Sequence, residues 1–502
     1  MNRVTSLPAA LAVSTLVAAV ALSEGLVNGQ ETNSAVADAV KQKDNEALRA
    51  LIENGVDVNS TQGDGATALH WATYYNDFNT VKFLLDAGAN IDAKNDLGVS
   101  PLWLACNNGS SVLVRTLLDS GADPNTTLPS GETSLMTASR TGNVTVVRSL
   151  IEYGAEVNKR EYTHGQTALM WAVSQQHPSV VKVLLQNGAR VEDRSNVYPQ
   201  VISSSGNADP SGVYEIEQGG YTALLFASRH GNIESAQLLV NFGANVNDVA
   251  PMGTSALVIS AHSGHTALSI FLLEEGADPN ATGSGYNALH AAVLRGDLTL
   301  VKSLLSHGAE PNAKLSRGTP ARRVSNDWRL GHNMIGATPF WLAARFREPE
   351  IMHALIEGGA NPLVVKDQTN ALLAALQGGT SRGRTFISNL EQVTKSEEQQ
   401  RMTSAVELAL DSGADINAAD EDGNTALHVA ASRRLDHIIS LLAHHGAILD
   451  VRNGQGQTPL GLAQSGPRGL AALYNPSDGS ISTETVLREL GAMDEGASRA
   501  DP

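Results

Sequence analysis

The chain has 502 residues, of which 42% are hydrophobic and 17% charged, a balance that suits a folded chain and excludes a disordered one. Its formal net charge of −17 argues against generic binding to nucleic-acid backbones or anionic membranes, and its single cysteine, Cys106, excludes internal disulfides and multi-cysteine metal centres. Aromatic residues make up only 4% while there are 46 glycines, which points to many tight turns rather than large aromatic cores. Length alone suggests three or four ordinary domains, unless one short pattern is repeated.

Residues 1–29 differ in character from the rest of the chain. Arg3 is followed by a nearly unbroken apolar run, Leu7–Leu22, and Ala19-Val20-Ala21 has the small-x-small form that a signal peptidase accepts. The run is short for a bilayer span, which favours a cleaved export signal, with removal between Ala21 and Gly29, over a retained anchor. No later segment is apolar enough to cross a membrane, so the mature chain is expected to be exported, periplasmic or secreted.

From there a period sets in. Gly-Ala closes a leucine-rich stretch at 88–89, 121–122, 154–155, 188–189, 243–244, 276–277, 308–309, 359–360, 413–414 and 446–447, with Gly55-Val56 before the first and Gly491-Ala492 after the last. Most spacings are 32–34 residues, and three are longer by about 18–22. Within each unit a glycine turn precedes a Thr-Ala-Leu-His-like element: Thr67-Ala68-Leu69-His70, Ser100-Pro101-Leu102, Thr167-Ala168-Leu169, Thr338-Pro339-Phe340, Thr425-Ala426-Leu427-His428, Thr458-Pro459-Leu460. Thr or Ser there predicts a helix N-cap, and Pro is tolerated in the first turn. A short Ala-rich helix comes next, and then a second helix ending in pairs such as Leu84-Leu85, Leu117-Leu118, Leu184-Leu185, Leu238-Leu239 and Leu304-Leu305. The next glycine suits a left-handed stop, and an extended piece such as Asp123-Pro124-Asn125 or Asn245-Val246-Asn247 completes the unit.

In period, motif and order the chain resembles the ankyrin repeat family over about residues 35–492. The resemblance implies an all-α repeat fold, a solenoid of about 10–12 helix–turn–helix units with β-turn fingers over a concave face, including a partial unit at 35–61 and a divergent one at 454–492. Residues 493–502 read as a disordered tail. Such a repeat buries its apolar face only against its neighbours.

Four segments depart from the period, near 192–218, 313–336, 378–402 and 465–481. The first lengthens a finger and is acidic (Glu192, Asp193, Asp209, Glu215 and Glu217 against Arg194), with Tyr198, Pro199, Pro210 and Tyr214. The second lengthens another finger and is basic (Lys314, Arg317, Arg322, Arg323 and Arg329 against Asp327), with Trp328 and His332. The third falls between two helices of one repeat, and the fourth precedes the last one. Long surface loops cost little entropy, but loops on a rigid frame also carry binding, and the two fingers have charges suited to pairing with each other.

Candidate chemistry is sparse. His262 and His265 lack further donors for a metal, and His444-His445 sit at a helix end, where the dipole favours them. By the resemblance, His70, His290 and His428 bond the turns of neighbouring repeats. Gly379-Thr380-Ser381-Arg382-Gly383 fits the hydrolase Gly-x-Ser-x-Gly pattern but lies in a loop, without the strand–turn–helix context that chemistry needs. There is no phosphate loop, dinucleotide fingerprint, His-Glu-x-x-His or calcium loop. Asn-x-Ser/Thr sequons at Asn59, Asn108, Asn125, Asn143 and Asn280 read mostly as by-products of the repeat's final Asn. No catalytic residue, metal or cofactor is assigned.

One pattern points to function. The resemblance places the last two inner-helix positions on the concave groove, where they read Tyr74-Tyr75, Asn107-Asn108, Arg140-Thr141, Ser174-Gln175, Arg229-His230, His262-Ser263, Leu294-Arg295, Arg345-Phe346 and Ser432-Arg433. Five of these nine pairs hold Arg, in a chain of net charge −17. Arg at a helix C-terminus also complements the dipole, while its planar fork suits carboxylates. The expectation is a monomeric, non-catalytic scaffold that holds an acidic protein or peptide through Tyr74, Tyr75, Arg140, Arg229, His230, Arg295, Arg345, Phe346, Trp328, Arg322 and Arg323. An accessory inhibitor or stabiliser of an exported enzyme, and a hydrolase using Ser381 with His332, are the alternatives.

Overall fold

Most repeats start on a side-chain cap of the kind the sequence predicts. The side chains of Thr67, Ser100, Thr133, Thr167, Ser255, Asn287, Thr338, Asn370 and Thr458 accept from a backbone N–H in the first helical turn. The computed structural model describes residues 34–203, 213–319, 330–379, 395–465 and 482–493. Its contacts divide the chain into two compact units, Met1–Leu128 and Pro129–Pro502.

The first unit holds three inner–outer helix pairs: α1 Ala35–Lys41 with α2 Asn45–Glu53, α3 Ala68–Tyr74 with α4 Phe78–Asp86, and α5 Pro101–Asn107 with α6 Ser111–Asp119. The segment 35–61, expected to be a partial repeat, therefore has both of its helices.

The second unit continues the pattern with α7 Ser134–Thr141 and α8 Val144–Glu152, α9 Ala168–Ser174 and α10 Pro178–Gln186, α11 Ala223–His230 and α12 Ile233–Asn241, and α13 Ala256–Ser263 and α14 Thr266–Glu274. After these come α15 Ala288–Arg295 and α16 Leu298–Ser306, α17 Pro339–Arg345 and α18 Pro349–Glu357, α19 Ala371–Gln377 and α20 Lys395–Asp411, α21 Ala426–Ser432 and α22 Asp436–His444, and α23 Pro459–Gln464 and α24 Thr483–Glu489. The Leu-Leu pairs that end the outer helices each supply at least one fully buried side chain, as with Leu84, Leu117, Leu184, Leu239 and Leu304. Ala72, Ala105, Ala138, Ala172, Ala227, Ala261 and Ala292 are at most 1% exposed, so small side chains let inner helices approach their neighbours.

A second set of bonds runs at the opposite end of the repeat, through its final Asn. Asn280 Nδ2 donates to Gly308 O at 2.9 Å, and its Oδ1 accepts from Glu310 N at 2.7 Å. The same two-pronged contact joins Asn59 to Gly88 and Asn90, Asn158 to Gly188 and Arg190, Asn247 to Gly276 and Asp278, and Asn312 to Gly359 and Asn361. The receiving glycines are the repeat's own stop: Gly88 and Gly308 have φ of +89° and +87°, a left-handed conformation that disfavours any side chain. Asn312 and Asn361 bond across the basic insertion, which is thus looped out without interrupting the ladder. The sequons acquire a structural role here, because the amides of Asn59, Asn108 and Asn280 already donate to backbone of an adjacent repeat.

The histidines of the Thr-x-Leu-His element tie repeats together at the fingers. Thr67 N donates to His70 Nδ1 at 3.1 Å, leaving Nε2 to donate to Val99 O at 2.9 Å. His290 repeats this with Asn287 N and Ala313 O, and His428 with Thr425 N and Gln457 O. Burial lowers the pKa of all three, and pushes His290 down to about 4 despite its bonds to backbone carbonyls.

The acidic insertion is a departure from an all-helical reading. It forms an antiparallel hairpin, β1 Val197–Ser203 paired with β2 Val213–Gly219 in the register Val197↔Gly219 to Ser203↔Val213. Pro199, which has no N–H, sits in the free-edged β1, where it blunts the edge against further pairing. Arg194 at the hairpin base donates to Gly220 O and Val249 O and pairs with Asp248 of the following finger. The basic insertion is closed at its base: Leu315 N donates to Ala337 O, Gly336 N to Leu315 O and Thr319 N to Leu330 O, with Leu315 and Leu330 buried. The third insertion contributes the first turns of α20, which is 17 residues long where the other described outer helices have seven or nine. Positions 380–394 and 466–481 lie outside the described residues.

The ladder and the buried histidines each carry a measurable outcome. Asn312→Ala removes both prongs of one contact and is expected to cost about 1–2 kcal/mol in urea unfolding; an unchanged midpoint would contradict the ladder's role. His290 is neutral in the folded chain and binds protons more readily when unfolded, so its contribution is intact above about pH 6.5 and declines as pH falls toward 4. The stability advantage of wild type over His290→Gln should therefore shrink by about 2–3 kcal/mol between pH 7 and pH 4.5.

Candidate interaction face

Inner helices end at the positions expected to bind, and there the structure divides the predicted residues into two sets. The last carbonyls of an α-helix lack intrahelical donors. Several of the expected contact residues supply that missing donor to an adjacent repeat. Tyr75 Oη donates to Lys41 O at 3.1 Å, and Asn108 Nδ2 to Thr73 O and Tyr74 O. Arg295 Nη2 donates to Ser263 O at 3.0 Å, and Arg433 Nη1 bonds Leu376 O. These second-position residues thus serve as caps between repeats. Phe346, also expected to contact a partner, is 2% exposed and belongs to the core, because an aromatic ring has no donor to offer and packs instead.

Two further caps come from the residue that opens an outer helix. His177 Nε2 bonds Arg140 O at 3.0 Å and His265 Nε2 bonds Arg229 O at 3.2 Å. Their rings lie on Gly142 and Gly231, where a Cβ at Gly142 would stand 2.6 Å from the imidazole of His177. Glycine is therefore required there for close approach as well as for its positive φ.

Arg347 is a site residue that the sequence does not single out. It is 3% exposed with φ +57°, its Nε donates to Ala375 O, its Nη2 to Gly378 O, and its Nη1 pairs with Glu398 of α20 at 2.9 Å. It caps α19 and fastens the extended outer helix in one contact. The one signal in the sequence is a charged residue beside Phe346 where most repeats carry Gly or Asn.

The first-position residues behave differently. Tyr74 is 36% exposed, edge-on to Trp71 at 5.8 Å and to Tyr75 at 5.3 Å, with Lys41 over the Trp71 ring and Lys43 over Tyr75. Arg140 is half-buried and Arg229 exposed. Arg345 lies 5.7 Å over the Trp341 ring, and burial lowers its pKa. His230 is half-buried and pushed down to about 4 by burial, then by Arg229 and His265, so it is neutral at physiological pH. Trp328, Arg322 and Arg323 lie outside the described residues, as does Ser381; His332 sits in a single 3₁₀ turn, His332–Met334.

In the second unit an open cavity of about 190 Å³ lies beside the hairpin, lined by Glu217 of β2, Arg229, Tyr221 and Tyr286 at the finger bases, and Ile259 and His262 of α13. Tyr286 is buried, which pushes its phenol well above the usual range and keeps it an O–H. Among the described residues no group of three or more His, Cys, Asp or Glu side chains is gathered for a metal, and no helix is long and apolar enough to cross a membrane. His444 and His445 bond carbonyls of their own helix, Ser440 O and Leu441 O.

Helix pairs, fingers and inter-repeat caps of this kind define a helical repeat protein. The chain belongs to the ankyrin repeat family: the family model for ankyrin repeats in three copies matches residues 36–128, 102–195, 204–283, 224–314 and 396–477. It is similar to the E3 ubiquitin-protein ligase KEG of Arabidopsis thaliana, 25% identical over 50% of this chain and 19% of that protein. It is also similar to the human ankyrin repeat and SOCS box protein 16, 27% identical over 42% of this chain and 47% of that one. A putative ankyrin repeat-containing protein of Treponema pallidum is 38% identical over 20% of this chain and 35% of its own length. The crystal structure of the human ASB11 ankyrin repeat domain aligns with 49% of this chain and 99% of its own at 26% identity and a TM-score of 0.40. The chain spans less than half the length of these curated relatives. Ankyrin repeats in general mediate protein–protein interaction and are typically non-catalytic.

The division between caps and open positions has a measurable consequence. Arg295→Ala should lower stability by about 1 kcal/mol, because Ser263 O loses its donor, while Arg229→Ala should leave the melting curve within experimental error. Equal effects of the two substitutions would contradict the division.

Proposed function

We propose that this chain is a non-catalytic binding scaffold of an exported protein, a monomer that holds a protein or peptide against its inner-helix face. The reading rests on one observation: several second-position residues are absorbed as caps, while Tyr74 in the first unit and Arg229 in the second stay exposed at the first position. Rigid repeats order little backbone on association, so their surface binds at low entropic cost. Exposed Tyr and Arg are residue types that dominate interface energetics.

The charge of Arg140 and Arg229 supports a partner segment of acidic character, recognised through the guanidinium fork. No step of chemistry is assigned to any residue.

The test is affinity capture from the source cell's envelope fraction with the wild type and with Arg140→Glu/Arg229→Glu. Charge reversal at two contact positions is expected to weaken capture at least about tenfold, with the helical circular dichroism spectrum retained. Equal capture by both proteins, or no protein retained by either, would overturn the reading.

A further inference from the structure

The cavity beside the hairpin is lined by opposite charges: Arg229 from the end of α11 and Glu217 from β2, both of them exposed. At about 190 Å³ it falls below the roughly 300–1,000 Å³ of sites for drug-sized ligands. It matches a single amino acid in size. A purely anionic group would meet Arg229 but face Glu217; a purely cationic one would meet the reverse. A ligand carrying both charges satisfies both walls at once. Tyr221 and Tyr286 line the same cavity, with Met252 and Ile259 supplying apolar surface for a side chain.

We propose that this cavity binds a free α-amino acid with an apolar side chain, its carboxylate on Arg229, its ammonium on Glu217 and its side chain against Met252 and Ile259. The site shares Arg229 with the scaffold reading but requires no protein partner, so capture can fail while this binding persists.

Titration calorimetry of the full chain with leucine and phenylalanine tests it, beside N-acetyl-leucine, which lacks the ammonium, and leucine amide, which lacks the carboxylate. The free amino acids are expected to bind with a Kd of about 1 mM, the scale that so small a ligand allows. Each capped derivative should bind at least about tenfold more weakly, as should Arg229→Ala and Glu217→Gln with the free acids, at unchanged melting temperature. No saturable binding at about 20 mM, equal binding of the capped derivatives, or wild-type binding by both variants would overturn the proposal.

Discussion

The structure depends on the two-pronged bond from the repeat's last Asn. An amide carries a donor and an acceptor at fixed separation, so one side chain can satisfy a Gly carbonyl and an N–H two residues further on in the next repeat. Asn280 and Asn312 do this with spacings of 30 and 49 residues to the N–H they receive, which shows what the ladder tolerates: chain length between rungs is free, geometry at the rung is not. The contacts are exposed, yet they hold because each spends one side chain on two backbone groups. The Ala-lined inner helices and buried Leu pairs supply the apolar burial, and the rungs set the register in which it occurs.

With register fixed by the backbone of the turns, inner-helix ends are released to vary. Tyr75, Asn108, His177, His265, Arg295, Arg347 and Arg433 are chemically unlike one another, but each puts a donor where an adjacent helix runs out of its own. That is a requirement for an N–H or O–H at a place, not for a residue type. It explains why the arginines of these positions carry no uniform meaning: Arg295 and Arg433 are spent on carbonyls, Arg345 on the face of Trp341, and Arg229 lines the cavity beside the hairpin.

Much of the fold is legible in the chain because its determinants are local. Thr67 and Thr338 before an apolar turn announce a cap, and Gly88 after Leu84-Leu85 announces a stop, each within a few residues. What is not legible is non-local. Nothing near Arg295 reveals that Ser263 O, 32 residues earlier, lies within its reach. Phe346 reads as an exposed helix end until the burial of Arg347 beside it is known. The hairpin reads only as a longer finger, since Val197–Ser203 alternates weakly and contains Pro199. The final Asn reads as an extended tail or a chance sequon, because a rung exists only once two repeats stand side by side.

The insertions fit this division. The hairpin and the basic loop leave from finger positions, where backbone bonds close their bases, and the rung from Asn312 to Asn361 spans the basic loop unbroken. In the proposed reading function is thereby separated from stability: the frame is held by rungs and caps, and binding would fall to what remains. The most direct measurement is amide hydrogen exchange of the full chain with Asn280→Ala. The account expects faster exchange confined to α13–α16, the repeats that this rung joins, with α7–α8 and α21–α22 unchanged. Uniform acceleration across the second unit, or no acceleration anywhere, would contradict it.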